Sequence, residues 1–480
     1  MSTFQPPKTT LILYNIPDQC LLGIDLQFFT ATIDFNGIKV IPDGIHVLHW
    51  SPPTPGSTST SRITEVISTA SQTNAEDEND LLNSESAVDR QLAAAGGDAL
   101  MSNMNMRMAR FFEASNGKVI HMQWDDEREE FSEFNGELNG RDPIDLYSHL
   151  LPYPDSSPSF DLITSSLSFS FLSALLPKIY FSEHMPISSI TASLADSLLL
   201  NDAISHSSSS KFSISSDNSD SFNFLAFDLK KQRTWPEGAT GREITAAALD
   251  HSWFLGDIID RERHGDYKSV IAELQLCFVL LVLLANYSAA EQWKRLLELL
   301  CTSQSAVCSQ SEIYKSFIDT LEAQFQCIPE VYFTDMLGSN FVKKQLRTLR
   351  RNITNPNSFT SMIPGSEADN HLSTPFRDQM LTKLSTISGL LNEKFGVDLE
   401  TSGTAAAARK RRQAQSTLSM LSGGFSAPSA NGFEAVHHYG SDDEDGDGDA
   451  VNGSSRFGDV YDSDDEDEER GEYAPVIVEM

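Results

Sequence analysis

Ten consecutive apolar residues, Leu276–Ala285, set the strongest constraint on what this 480-residue chain can become. A membrane-spanning helix takes about 20 such residues, so this run predicts a helix buried inside protein. Other helices must then cover it, and the flanking sequence supplies them. Trp293, Leu296, Leu297 and Leu300 recur at helical spacing within a long apolar stretch from Tyr267 to Cys301. Ile313, Phe317, Leu321 and Phe325 repeat every four residues, and Phe341, Val342, Leu346 and Leu349 mark a further helix. Leu381, Leu384, Ile387, Leu391 and Phe395 mark another, with Gly396 as its stop. Thr245 to Leu255 reads as one short helix ahead of them. Residues 240–400 are therefore expected to form an α-helical domain.

Ahead of Thr240 the pattern is that of strands and turns. Thr10 to Tyr14 is β-branched and apolar, and Asn15-Ile16-Pro17-Asp18 turns it. Phe28 to Ile33 is a second strand candidate, closed by Asn36-Gly37. Gly44 to Trp50 follows the Pro42-Asp43-Gly44 turn, with Ile45, Val47 and His49 alternating against His46, Leu48 and Trp50. Arg110 to Ala114 and Lys118 to Trp124 flank Asn116-Gly117, a hairpin signal. A short helical stretch is expected near Pro177, a late strand at Asn223 to Phe227, and a bridging turn at Trp235-Pro236-Glu237-Gly238. The fold class is α+β multidomain: an antiparallel β-sandwich-like domain over 9–235, then the all-α domain.

Three segments interrupt this plan. Residues 51–108 open on Pro-Pro-Thr-Pro-Gly-Ser and include Glu76-Asp77-Glu78, and 206–221 are serine-rich. Both read as disordered inserts. Residues 401–472 carry Arg409-Lys410-Arg411-Arg412 and then dense acidic blocks after Ser441 and Ser463. Like charges at that density cannot collapse, so this tail is expected to be disordered when free. Residues 473–480 return to strand composition.

The formal charge is −33. Phosphate binding draws on Lys and Arg, so direct nucleic-acid binding over a broad surface is not expected, although a local basic patch stays open. The first ten residues hold one Lys and no apolar segment, so no secretory signal is expected. Cys20, Cys277, Cys301, Cys308 and Cys327 lack CxxC spacing and read as buried free thiols.

Chemistry-bearing motifs are scarce. There is no phosphate-binding Gly-rich loop and no nucleophile elbow. His46 and His49 sit three apart on a strand, which turns them to opposite faces and away from a shared metal. Asp125-Asp126-Glu127 with Glu129-Glu130 lacks calcium-loop spacing and reads as a solvated acidic turn. No cofactor and no catalytic residue is expected. Arg409, Lys410, Arg411 and Arg412 suit either a nuclear-import patch or a solvated linker. Ser441 and Ser463 suit an acidophilic kinase or are plain linker serines. Ala474, Val476, Ile477 and Val478 form an apolar strand on a polar tether. It can add to an edge of its own β domain or to a partner's edge.

Gly23-Ile24-Asp25 followed by Phe35-Asn36-Gly37-Ile38-Lys39-Val40-Ile41-Pro42-Asp43-Gly44-Ile45-His46-Val47-Leu48-His49 resembles the opening motif of the AAR2 splicing-factor family. Its motif residues here are Gly23, Asp25, Gly37, Lys39, Pro42, Gly44, His46 and His49. Glu273-Leu274-Gln275 through Val279, and Gln292-Trp293-Lys294-Arg295-Leu296-Leu297 through Cys301, are similar to the family's helical motifs, with Gln292 in place of a usual His. The resemblance implies a non-enzymatic assembly factor in pre-mRNA splicing. It would bind the large central protein of the U5 snRNP at its RNase H-like and Jab/MPN-like domains. Strand addition by the C-terminal tail would bridge them, RNA and a helicase would be held off, and phosphorylation would release the factor. Nucleus and cytoplasm are the implied locations, and the chain is expected to be monomeric outside that complex, with no membrane partner. Two other functional classes compete: an enzyme in the β domain, which would need a pocket of polar groups that the sequence does not show, and an acidic-tailed scaffold or chaperone for basic proteins.

Overall fold

A computed structural model describes residues 8–18, 20–32, 35–52, 106–134, 147–148, 150–154, 160–206, 218–355 and 374–399. All of them fall within one compact unit, Met1–Leu399.

Among the described residues, ten strands build two five-stranded sheets. They are β1 (Thr9–Tyr14), β2 (Leu21–Ile24), β3 (Gln27–Thr30), β4 (Gly37–Ile41), β5 (Gly44–Ser51), β6 (Met108–Ala114), β7 (Val119–Asp125), β8 (Glu130–Glu133), β9 (Leu151–Pro152) and β10 (Ile187–Ser188). One sheet runs β8-β7-β1-β4-β9 and the other β10-β6-β5-β2-β3. Most pairings are antiparallel, but β1 runs parallel to β7, and β4 to β9.

The alternation in β5 divides its side chains as read from the sequence. Leu48 and Trp50 face a core between the sheets with Leu11, Ile38, Met122, Trp124 and Phe131. Ile45 and Val47 face the other way, into a cluster that also holds the helices. Trp50 meets Phe131 edge-on at 5.3 Å between centroids.

Two strand expectations change. Asn116-Gly117 joins no hairpin, because β6 and β7 lie in different sheets. The turn carries the chain from one sheet to the other, and Thr9 fixes the crossing. Its hydroxyl donates to the Ser115 carbonyl at 2.7 Å and accepts from the Ser115 N–H at 2.8 Å. β7 then pairs with β1 rather than with β6. The strand expected from Phe28 to Ile33 is paired only over Gln27–Thr30, against β2; Ile33 lies outside the described residues. The insert expected at 51–108 joins two adjacent strands, with Trp50 opposite Met108. Its residues 53–105 lie outside the described residues, as do 207–217 of the serine-rich insert.

The helices are α1 (Phe160–Ile163), α2 (Phe169–Leu175), α3 (Lys178–Ser182), α4 (Leu194–His206), α5 (Gly241–Leu249), α6 (Ser252–Arg263), α7 (Lys268–Leu284), α8 (Tyr287–Thr302), α9 (Gln304–Ser309), α10 (Ser311–Cys327), α11 (Ser339–Thr354) and α12 (Thr374–Phe395). Every residue of α7 from Ser269 onward is buried, as the apolar run demands. Among the described residues no single helix is long and apolar enough to cross a membrane. Gly396 at φ +67° ends α12 in the left-handed region.

The helix expected from Thr245 to Leu255 is two helices. Asp250 breaks it, because its carboxylate is better used as a cap. Oδ1 accepts from the Ser252 N–H at 3.0 Å, and Oδ2 from the Ser305 N–H at 3.1 Å, so one side chain serves the first turns of α6 and α9. The late strand expected at Asn223 to Phe227 does not form either. No strand pairs with that segment: the Asn223 N–H donates to the Leu175 carbonyl at 2.9 Å, and helix side chains take both backbone groups of Leu225. No disulfide joins the five cysteines; Cys20, Cys277 and Cys301 are buried, while Cys308 and Cys327 are half-buried.

Candidate functional site

The family-motif residues converge on Asp25, in the tight turn between β2 and β3. Asp25 adopts φ +54°, a left-handed conformation that Asp tolerates. Its Oδ1 accepts the Val47 N–H at 2.9 Å. Its Oδ2 lies 2.7 Å from His46 Nδ1 and accepts the Tyr153 hydroxyl at 2.6 Å. The Asp25 carbonyl lies 2.9 Å from His49 Nε2. The two histidines do face opposite sides of β5, yet both grip the same residue, one by its side chain and one by its backbone.

Each remaining motif residue has a task in this frame. The Pro42 carbonyl lies 2.9 Å from His46 Nε2, so both ring nitrogens are spoken for. Gly23 leaves room for His49: a Cβ there would stand 1.8 Å from the imidazole. Gly37, at φ +138°, passes so close to β1 that a Cβ would stand 2.1 Å from the Leu11 carbonyl. Gly44, at φ +139°, has open space and is needed for its backbone angle alone. Lys39 Nζ donates to the Tyr147 and Ser148 carbonyls at 3.1 and 3.3 Å and lies 5.0 Å from the Tyr147 ring centre. A register shift between Thr9 and Leu11 sits beside it.

His49 is buried, and desolvation first, then the nearby Arg107 charge, push its pKa down to about 3 against the opposing Asp25 carbonyl bond. It is a neutral ring in a packed wall, beside Phe28 at 4.4 Å. His46 and Asp25 have the shape of a carboxylate-oriented base. A base needs a free nitrogen facing substrate, however, and the Pro42 carbonyl occupies it. The arrangement holds two strands and a turn in register; it presents no reactive atom.

A second buried polar group ties the helices to the segment before them. Glu273 on α7 accepts the Leu225 N–H at 2.9 Å and the Gln292 amide at 2.8 Å, and pairs with Arg263 at 2.8 Å. Gln292 also donates to the Leu225 carbonyl at 2.9 Å. Both backbone groups of Leu225 are thus read by helix side chains, which is why no strand partner is needed there. Burial raises the Glu273 carboxyl pKa, opposed by Arg263, the Leu225 N–H and Gln292. Gln275 similarly donates to Ser165 and Thr320, at 2.9 and 3.0 Å. Trp293 is fully buried and its indole N–H donates to Gln324 at 2.9 Å.

Sequence reasoning missed Tyr153, Arg263 and the clasp on Leu225. The one available signal was polarity beside the apolar run, since Glu273 and Gln275 interrupt the buried length of α7. Among the described residues, no group of three or more His, Cys, Asp or Glu side chains converges as a metal site. A cavity of about 120 Å³, lined by Phe227, Asp228, Leu229, Lys230, Arg295 and Glu298, is well below the roughly 300 Å³ of a small-molecule pocket. The acidic turn is a local Asp turn, with Asp125 Oδ1 accepting the Glu127 N–H at 2.9 Å. Arg409–Arg412, Ser441, Ser463 and the terminal strand with Ala474, Val476, Ile477 and Val478 lie outside the described residues.

The described residues form a two-sheet β unit followed by a helical unit, an α+β architecture whose motif residues Asp25, His46 and His49 are engaged in internal bonds. Residues 7–177 match the family model for the AAR2 N-terminal domain, and residues 224–400 match that for the AAR2 C-terminal repeat region. The chain therefore belongs to the AAR2 family. It is similar to "Protein AAR2 homolog" of Homo sapiens, 25% identical over 353 residues, covering 70% of this chain and 81% of the relative. The Oryctolagus cuniculus homolog is 38% identical over 124 residues, 26% of this chain and 37% of the relative. The Caenorhabditis elegans homolog is 32% identical over 90 residues, 18% of this chain and 25% of the relative.

Proposed function

We propose that this protein is a non-enzymatic assembly factor in pre-mRNA splicing. It binds the large central protein of the U5 snRNP at its RNase H-like and Jab/MPN-like domains and blocks premature RNA and helicase binding. The supporting observation is the family match across both the β and the helical regions. The absorption of His46, His49 and Asp25 into internal bonds is consistent with a binding role. In this reading the terminal strand, Ala474 to Val478, supplies backbone hydrogen bonds to a sheet edge of the partner. Phosphates added at Ser441 or Ser463 would raise repulsion there and loosen the complex.

Calorimetric titration of the full chain against the partner's two domains tests this. Truncation from Tyr473 onward is expected to weaken binding at least tenfold. Equal affinity with and without the last residues would discard strand addition. The acidic-scaffold alternative instead ties binding of basic proteins to residues 437–472, so loss on deleting those alone would favour it.

A further inference from the structure

The four most exposed large apolar side chains among the described residues gather at one place. They are Ile190, Tyr287, Leu199 and Leu200, at 78, 68, 65 and 56% exposure, and Leu198 adjoins them. The backbone beneath them is fixed. Asn286, fully buried, donates to the carbonyls of Ser188, Ser189 and Thr191 at 3.3, 3.1 and 2.8 Å, which sets Ile190 beside Tyr287. The Ser288 hydroxyl donates to Asp196 Oδ2 at 2.6 Å, which sets α4 against the start of α8. Three consecutive leucines at about 100° each span some 200° of a helix, more than one packed side can hide. On α4 the inner side goes to Ser197, whose hydroxyl lies 2.9 Å from that of Ser221. The leucines take the outer side, with Asp202 and Ala203 exposed between them.

We infer that this patch docks an amphipathic helix of a partner protein, one whose apolar stripe is bordered by Lys and Arg. An aromatic ring among aliphatic side chains on a fixed backbone is the composition of a protein interface core. The form of the occupant follows from α4. A helix spends its central N–H and carbonyl groups on itself, so no strand can add to it, and contact is made by side chains alone. A second helix laid against α4 makes such a contact.

Charge chooses among the possible occupants. Helix α4 carries Asp196 and Asp202 and no Lys or Arg, in a chain of formal charge −33. On α8, Lys294 is paired with Glu291, and Arg295 lies about two turns along from Tyr287. An anionic bilayer or a nucleic acid would meet acids of its own sign here. A second copy of the chain, related by a two-fold axis, would set Asp196 and Asp202 against the same two residues. A helix with basic residues beside its apolar stripe meets the leucines and the acids together. This contact uses helix side chains, whereas the terminal strand proposed above uses backbone at a sheet edge, so each stands or falls without the other.

The test uses the full chain and a fluorescein-labelled peptide of Leu and Lys in helical register, about 14 residues long to match the ~20 Å of α4. Anisotropy is read at about 150 mM salt, where distant charges are screened. Wild type is expected to bind the peptide, and the variant L199S/L200S/Y287S to bind it at least about tenfold more weakly. That variant keeps every charge, so unchanged affinity would mean attraction to acidic residues alone and would overturn the assignment. The control L162S/L249S removes two similarly exposed leucines on α1 and α5 and should bind as wild type; an equal loss there would also overturn it. Matching melting curves for the variants confirm folding. A Leu/Glu peptide of the same register should bind more weakly, and equal binding would sink the charge argument. Dimerisation of wild type, or its uptake by phosphatidylserine vesicles, lost in L199S/L200S/Y287S would give the patch to a second copy or a membrane instead.

Discussion

The Tyr153 hydroxyl donates to Asp25 Oδ2 at 2.6 Å across 128 positions of sequence. This bond brings the segment after β9 onto the β2–β3 turn. His46 lies 2.7 Å from the same oxygen, so one carboxylate serves side chains from two other parts of the chain. Hydrogen bonds to a charged group contribute about 1.5–3 kcal/mol each. Tyr153→Phe is expected to destabilise the fold by ~1–2 kcal/mol, and Asp25→Ala by ~3 kcal/mol or more because partners are left unpaired. Urea unfolding checks both. The double variant should cost less than the sum of the singles; strict additivity would mean that the bond contributes nothing.

Gly23 and His49 form a steric pair. A methyl at Gly23 would meet the imidazole at 1.8 Å and the Gln27 carbonyl at 2.6 Å, so backbone as well as side chain must shift. Gly23→Ala is expected to cost ~2–3 kcal/mol, in the range of overpacked sites. Adding His49→Ala should recover only part of it, since the Gln27 contact stays. Thermal melts of the three variants separate these contributions.

The buried His49 makes stability depend on pH. Its pKa falls to about 3 in the folded chain, against 6.5 for the free side chain. The unfolded chain therefore binds more protons between those values. The stabilisation is fully present above about pH 6.5 and is lost as pH falls toward 3, at up to about 1.4 kcal/mol per unit. Wild type should lose stability between pH 7 and pH 5 by ~2 kcal/mol more than a His49→Gln variant. Parallel pH profiles for the two proteins in urea titrations would refute the assignment.

Trp293 is held by packing and by one bond to Gln324. The Gln324 amide nitrogen already lacks a hydrogen-bond partner, so losing the indole would leave the whole buried side chain without one in this contact. Trp293→Phe keeps most of the ring and is expected to cost ~2–4 kcal/mol from the lost volume and the orphaned carbonyl. A second change, Gln324→Leu, should restore part of that by removing the orphan. Circular dichroism melts report both, and an additive pair would count against the bond.

Much of the helical region was legible because burial leaves a periodic trace. The four-residue repeat of Ile313, Phe317, Leu321 and Phe325 became α10, and the apolar run became the fully buried α7. Asp250 misled the reading, because capping depends on α9, which packs beside it only in the folded chain. Asn116-Gly117 misled for the same reason. A turn dipeptide encodes a reversal of direction, but whether the two strands then pair depends on which other strands lie beside them, here β5 beside β6 and β1 beside β7.

Sequence alone determined the periods: two along β5, near four along α10 and α12, and an apolar stretch too long to stay exposed in α7. These are local consequences of backbone geometry, so neighbouring residues suffice to write them. Tertiary structure decided the rest. It set β1 against β7, placed Tyr153 and both histidines on Asp25, and turned Glu273 and Gln292 onto Leu225. Each of these bonds joins residues far apart in sequence, and each exists only because burial removes water as the competing partner.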